Sequence, residues 1–403
     1  MNGSSRRRAV IRHLVLGLGL VGLSVPLGIA PSVVATASGG GTTLIGLDAP
    51  TPAHHNFGFN DFFPRAGATI HTGDVVDFAW RQNADGLHNV AVLKAGETAN
   101  QAWAAYPVVV PDPGDATNPL QFNPTVNLGN HPPAGSGAPG ACGDQVTPCA
   151  YDGSADVIEA ANPADGLHHF AVKVTAPAGS VITFLCLIHV GMSGSVRVVA
   201  DGTPVTSAKQ VARMAKHQLR SETAKAFGAE ERASKTQIDR HTDGTKLVTM
   251  RAGATAGHVA LLEMLPRHVR LHPGDQVRWQ YTGGNEIHTV TFPDGTTDGE
   301  PLVPACDGSP ADNPFVPPVA GPPCGNPALF ELHIRPQPFG STTITDPTTF
   351  GSSGLVAAPG GPLPSMTPTF TFPSAGHFVY VCHIHDHMIG TIDVGHADRH
   401  SDD

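Results

Sequence analysis

Short runs in which apolar and polar residues alternate recur along most of the chain, each bounded by glycine or proline. Val75, Phe78 and Trp80 follow a Gly73-Asp74 turn, and Val277, Trp279 and Tyr281 follow Gly274-Asp275. Val181–Leu185 and Phe378–Val381 are β-rich runs, with Ser195–Val199 and Thr391–Val394 shortly after them. A period of two over so few residues marks strands with one face in a core. Many short strands with frequent turns predict an all-β protein built from β-sandwiches. Residues 204–240 break the pattern. Pro204, then Thr206 or Ser207 as N-cap, opens a helical run of Ala, Lys, Arg, Gln and Glu. Val211, Ala215 and Leu219 give it a thin apolar stripe, so it reads as a charged linker helix. Its basic residues offer a second reading, a docking surface for an acidic partner or for the chain's own acidic domains.

The chain also repeats itself. Phe63-Pro64-Arg65, then Ile70-His71-Thr72-Gly73-Asp74-Val75, then His88-Asn89-Val90 are answered by Leu265-Pro266-Arg267, Leu271-His272-Pro273-Gly274-Asp275-Gln276 and His288-Thr289-Val290. Cys186-Leu187-Ile188-His189-Val190-Gly191-Met192 is answered by Cys382-His383-Ile384-His385-Asp386-His387-Met388. Two tandem domains are expected, at 38–203 and 244–395, with the helical linker at 204–243 and a polar tail at 396–403. Between the matched blocks lie Pro/Gly-rich insertions, 94–178 and 295–370, with no clear periodicity.

Arg6, Arg7, Arg8 and Arg12 precede an apolar stretch from Leu14 to Ala35, and Ala35-Thr36-Ala37 offers small residues for cleavage. Residues 1–37 therefore read as a signal peptide, predicting a secreted or cell-envelope protein without stable membrane insertion after cleavage. Glycine and proline interrupt the stretch, against a lasting anchor. A net charge of −10 argues against nucleic acid as a partner. The 22 His, with 6 Cys and 7 Met, direct attention to soft-metal chemistry.

Each half carries one early histidine and then a Cys-x2-His-x2-Met loop between its last two strands. A thiolate, two imidazoles and a thioether are the donors of a blue-copper site, with Cys and two His in a plane and Met on a weak axial bond. Both halves resemble the cupredoxins, the plastocyanin and azurin family of type 1 copper domains. The resemblance covers two blocks in each half and leaves the insertions unmatched. It implies Greek-key β-sandwiches and two copper ions, one held by His88, Cys186, His189 and Met192, the other by His288, Cys382, His385 and Met388. Asn89, next to its ligand histidine, is expected to brace the Cys loop, whereas the second half has Thr289 there. His168 is a rival to His88, because Ala164-Asp165-Gly166-Leu167-His168 echoes Ala84-Asp85-Gly86-Leu87-His88, but it has no counterpart in the second half. His54, His55, His71 and His272 read as surface residues.

Multicopper enzymes use similar domains. A laccase-like oxidase needs several His-x-His pairs, and here they overlap within His383–His387. A copper nitrite reductase carries a histidine just before the ligand cysteine, where this chain has Leu185 and Val381. The expected role is one-electron transfer with redox partner proteins, and no catalytic residue is assigned. The alternatives are copper storage or delivery, or a divergent oxidase or nitrite-reductase-like enzyme. The first Cys loop is apolar at Leu187, Ile188 and Val190, whereas the second carries His383, Asp386 and His387. That contrast implies a lower potential at the second centre.

Cys142 with Cys149, and Cys306 with Cys324, read as structural disulfides pinning the insertions. A second metal site is the alternative, with no histidine at ligand spacing beside either pair. Non-reducing peptide mapping should recover both pairs, and a crossed pairing would overturn the assignment.

Overall fold

The computed structural model describes residues 40–80, 88–111, 120–123, 126, 129–130, 138–159, 169–283, 286–293, 333–334, 338–354, 356–357, 367–382, 384–385 and 387–395. The signal-peptide segment, His168, Cys306, Cys324, His383, Asp386 and the tail lie outside the described residues. In chain order the first half contains β1 (Thr42–Leu47), β2 (Phe57–Phe59), β3 (Phe62–Phe63), β4 (Ala68–His71), β5 (Val75–Trp80) and β6 (Ala91–Val92). Helix α1 (Ala99–Ala105) precedes β7 (Val109–Pro111), β8 (Leu120–Phe122), β9 (Cys149–Tyr151) and β10 (Val157–Ile158). Then come β11 (His169–Val174), β12 (Val181–Leu185), β13 (Ser193–Val199) and helix α2 (Ala208–Ala233). The second half begins with β14 (Gln237–Arg240), β15 (Lys246–Ala256), β16 (Val259–Leu265), β17 (His268–Leu271) and β18 (Gln276–Gln280). Short strands β19 (Ile287–His288), β20 (Thr291–Phe292), β21 (His333–Ile334), β22 (Phe339–Gly340), β23 (Gly351–Ser352) and β24 (Val356–Ala357) follow. The last three are β25 (Thr369–Thr371), β26 (Gly376–Val381) and β27 (Ile389–Val394).

The first half has two five-stranded sheets, ordered β3-β1-β5-β11-β9 and β10-β6-β12-β13-β4. Their inner faces meet over Ile45, Phe62, Phe78, Phe170, Phe184 and Val196. The second half repeats the scheme with β2-β16-β15-β18-β25 and β17-β27-β26-β20-β23-β22, around Trp279, Phe292, Phe370 and Tyr380. Each half pairs its first long strand in parallel with the strand after the Gly-Asp turn, β1 with β5 and β15 with β18. Each also sets its last strand parallel to the one before that turn, β13 with β4 and β27 with β17. The antiparallel pairs β12/β13 and β26/β27 carry the two Cys loops. The alternation read from the sequence is visible in β13 and β18, where every second residue is buried.

Two features depart from a pair of beads on a charged string. Strand β2 leaves its own half and pairs with β16 of the second, and β21 of the second insertion pairs with β8 of the first. Helix α2 does form, capped by Ser207, and it packs along the sheet. Its buried Val211, Ala226 and Ala229 extend the stripe read from the sequence. Ala226 and Ala229 cover Leu261 and Leu265 of β16 and Phe57, Phe59 and Phe63. That is why all seven residues of β16 are buried: its second face has a helix on it. The insertion at 94–178, which showed no periodicity, holds α1, capped by a Thr98–Gln101 capping box, and the Cys142–Cys149 disulfide. By loop-closure arithmetic such a short bridge stabilises by about 2–3 kcal/mol.

Under α2 two carboxyls are buried beside a partly exposed arginine. Arg65 pairs with Asp61 at 3.3 Å and with Glu222 at 3.1 Å. One guanidinium faces two buried carboxyls. Burial and the neighbouring Glu222 push Asp61 up to about 9, outweighing Arg65. A carboxyl raised in the folded state contributes stability that is complete below its unfolded pKa and lost as pH rises towards about 9. Stability should therefore fall between pH 5.5 and 8.5. Glu222→Gln removes the like charge and should flatten that fall, recovering about 1 kcal/mol at the alkaline end. Thermal melts of both proteins at the two pH values check it, and equal slopes would refute it.

Candidate metal centres

His88 lies just ahead of β6, Cys186 directly after β12, and His189 and Met192 on the turn into β13. The turn is closed by its own backbone: Cys186 N–H donates to Met192 O at 3.0 Å, and Met192 N–H to His189 O at 3.0 Å. The second loop repeats this, with Cys382 N–H on Met388 O at 2.9 Å. His288 sits on β19, just ahead of β20. In each half the two histidines and the cysteine bring their donor atoms within 4.8 Å of one another. Sγ of Cys186 is 3.6 Å from Nδ1 of His189, and Sγ of Cys382 is 3.6 Å from Nδ1 of His385. Nδ1 of His88 faces Nδ1 of His189 at 3.0 Å. All eight residues, Met192 and Met388 included, are between 0 and 8 % exposed.

Lone pairs this close repel unless a cation lies among them. Protons as well as a metal can do that work. Burial would raise the Cys186 thiol, but the charge of His189 and hydrogen bonds from His189 and His88 bring it down to about 5. Cys382 is likewise held well below its ordinary value, its burial outweighed by His288 and His385. Burial works against charge on His189 and His385, yet His189 is raised to about 10, chiefly by Glu286 and the Cys186 thiolate. His385 is raised to about 9, chiefly by hydrogen bonds to Cys382 and Glu286. Thiolates and imidazoles in a dry pocket are the donors a soft metal takes when it displaces those protons. The residues fit type 1 copper, and each half is a cupredoxin-like sandwich.

The expectation for Asn89 is met: its Oδ1 accepts Leu187 N–H at 2.7 Å and its Nδ2 donates to Val126 O at 2.9 Å. In the second half the backbone N–H of Thr289 points at Cys382 Sγ, 3.3 Å away. Among the histidines read as surface residues, His55 is half-buried, 3.1 Å from Glu230 and packed on Phe227. With Glu263 it forms a third donor group, but Arg267 Nη2 donates to Glu263 Oε1 at 2.7 Å and supplies a cation there.

Several contacts were not foreseen. Trp103 of α1 donates its indole N–H to Cys186 O at 2.9 Å, fastening the first insertion to the Cys loop. Asp48, 1 % exposed, sets Oδ2 3.5 Å behind Nε2 of His88. The strand registers make Gly253 its counterpart, because Thr42 opposite Val75 matches Leu247 opposite Gln276. Both positions have positive φ, 57° and 78°. A Cβ at Gly253 would overlap His288 Nε2, so no carboxylate fits there. The two early histidines diverge accordingly. Burial pulls on both, but hydrogen bonds to Asp48 and Cys186 leave His88 raised, whereas His288 stays lowered. The last contact joins the halves. Glu286 places Oε1 3.2 Å from Nε2 of His189 and Oε2 3.3 Å from Nε2 of His385. A comparison of the repeats gives a hint of it, since Gly86 stands before His88 where Glu286 stands before His288.

No protein-family model matches the chain, and no curated protein does. Among solved structures, it is similar to a reduced auracyanin from Roseiflexus castenholzii at 17% identity and a TM-score of 0.20, covering 40% of this chain and 97% of that one. A blue copper oxidase from Nitrosomonas europaea is 12% identical at a TM-score of 0.18, covering 88% and 85%. A copper-containing nitrite reductase from Thermus scotoductus is 11% identical at 0.21, covering 89% and 69%. Scores this low decide nothing about function, and the strand order and donor sets stand without them.

The Asp48/Gly253 difference opposes the potential order read from the loops, whose His383 and Asp386 lie outside the described residues. Asp48→Asn should raise the potential of the first centre alone, by tens of millivolts or about 1 kcal/mol. Gly253→Ala should abolish metal binding at the second centre alone. Potentiometry and metal counting on single-centre variants check both.

Proposed function

We propose that the chain is an exported copper protein with two type 1 centres that passes single electrons between partner proteins. The observation that carries this reading is the twofold convergence of His, Cys and His in a buried cluster with a buried Met on the same loop. When bound, copper supplies a one-electron couple between its Cu(I) and Cu(II) states. The chain's own residues hold the donors still. Asn89 and Trp103 fix the first Cys loop, and backbone hydrogen bonds close both loops. A frame that fixes its donors suits a couple that must change charge with little rearrangement. A storage or delivery role is less well served, because handing over an ion needs a ligand within a partner's reach, and these ligands are buried. Export is supported by the leader-like first 37 residues read from the sequence and by the Cys142–Cys149 disulfide. Among the described residues, no helix is long and apolar enough to cross a membrane.

The purified chain should bind two copper ions and show the intense sulfur-to-copper charge-transfer band of type 1 centres. Cys186→Ser and Cys382→Ser should each remove one ion and about half of the band. Copper clearly above two per chain, with oxygen consumed in the presence of phenols, would favour the enzyme alternative instead.

A further inference from the structure

Glu286 is nine-tenths buried, and both of its oxygens are spoken for by histidines from different halves of the chain. Asn60, on the segment between β2 and β3, donates Nδ2–H to Oε1 at 2.5 Å. The backbone N–H of Glu286 donates to Tyr281 Oη at 3.2 Å, and that hydroxyl lies 3.0 Å from Thr255 Oγ1. The carboxylate is thus positioned from both halves. His189 and His385 each turn Nδ1 towards their cysteine sulfur and Nε2 towards Glu286. An imidazole that binds a metal through Nδ1 must be neutral there and carry its proton on Nε2. One carboxylate with two oxygens accepts two such protons, one from each ring.

We propose that Glu286 is a positioning residue shared by both metal centres, setting the tautomer and orientation of His189 and His385 together and coupling the two centres through one buried charge. This rests on reading the two clusters as copper sites. Two consequences separate it from an ordinary ion pair between halves. First, the charge touches one ligand of each centre at nearly the same distance, 3.2 and 3.3 Å, so it favours the more positive metal state at both. A neighbour of one site alone would act on one potential. Second, the two rings are linked through the carboxylate by two hydrogen bonds, a short polar bridge between the halves. An electron moving across it leaves one centre oxidised and the other reduced by one unit, with no further reactant.

The test uses the full chain with Glu286→Gln and Glu286→Asp. In Glu286→Gln the amide keeps the size and loses the charge, and its nitrogen cannot accept from a histidine. Copper affinity should fall by about 10–100-fold at both centres, and both midpoint potentials should rise. Electron equilibration between the centres after rapid reduction of one should slow. Glu286→Asp keeps the charge but is too short to reach both rings, so affinity should fall unevenly, at one centre more than the other. If Glu286→Gln does not fold, Glu286→Asp decides: an uneven fall felt at both centres supports the sharing, and a fall at one centre alone overturns it. A response confined to one centre in Glu286→Gln would overturn the sharing. Unchanged affinities and potentials with only a lower melting temperature would reduce Glu286 to a structural ion pair. Failure of the underlying reading looks different: the unaltered protein would then lack two type 1 centres.

Discussion

Two imidazole nitrogens and a sulfur held within 4.8 Å of one another, out of reach of water, repel unless a cation sits among them. Much of the surrounding structure can be understood as the frame that bears this. The Cys loops are closed by backbone hydrogen bonds and rooted in antiparallel strand pairs, so cysteine, histidine and methionine cannot drift apart. The early histidine arrives on a neighbouring segment whose position depends on the packing of both sheets. The second face of β16 is sealed by α2, which keeps that strand dry on both sides.

The same requirement explains where charge is tolerated inside the protein. Asp48, Glu286 and the Asp61–Glu222 pair are all buried, and each sits against a cation or a group that becomes one. A buried carboxylate is stable only when such partners replace the water it has lost. Two of these groups lie behind donor histidines, where their charge reaches the metal position through the ring. The core is therefore apolar between the sheets and electrically structured around the clusters.

The fold and the donor sets were largely legible in the sequence. Alternation gave the strands, and the repeat separated the histidines and cysteines that matter from the 22 His and 6 Cys present. Asn89 was legible too, because it adjoins a donor. Trp103, Asp48 and Glu286 were not. Each works through a contact between segments far apart in the chain, and such contacts depend on how strands cross from one half to the other. Nothing in the local pattern around Phe57–Phe59 announces that this strand joins the other half's sheet. The helix showed its apolar stripe, but a stripe of that width does not say what it covers.

Glu286 also bears on how such a protein can arise. Copying one domain produces two identical halves, and if these were arranged about a twofold axis through that point they would bring two carboxylates to the same place. Two like charges there would oppose each other in a space that has partners for one. A group shared by equivalent histidines must therefore come from one copy only, as Gly86 and Glu286 now stand. Divergence at that position is a condition for joining the halves, and an assembly of two identical single domains could not meet it. Covalent fusion into one chain is one arrangement that lets the copies differ.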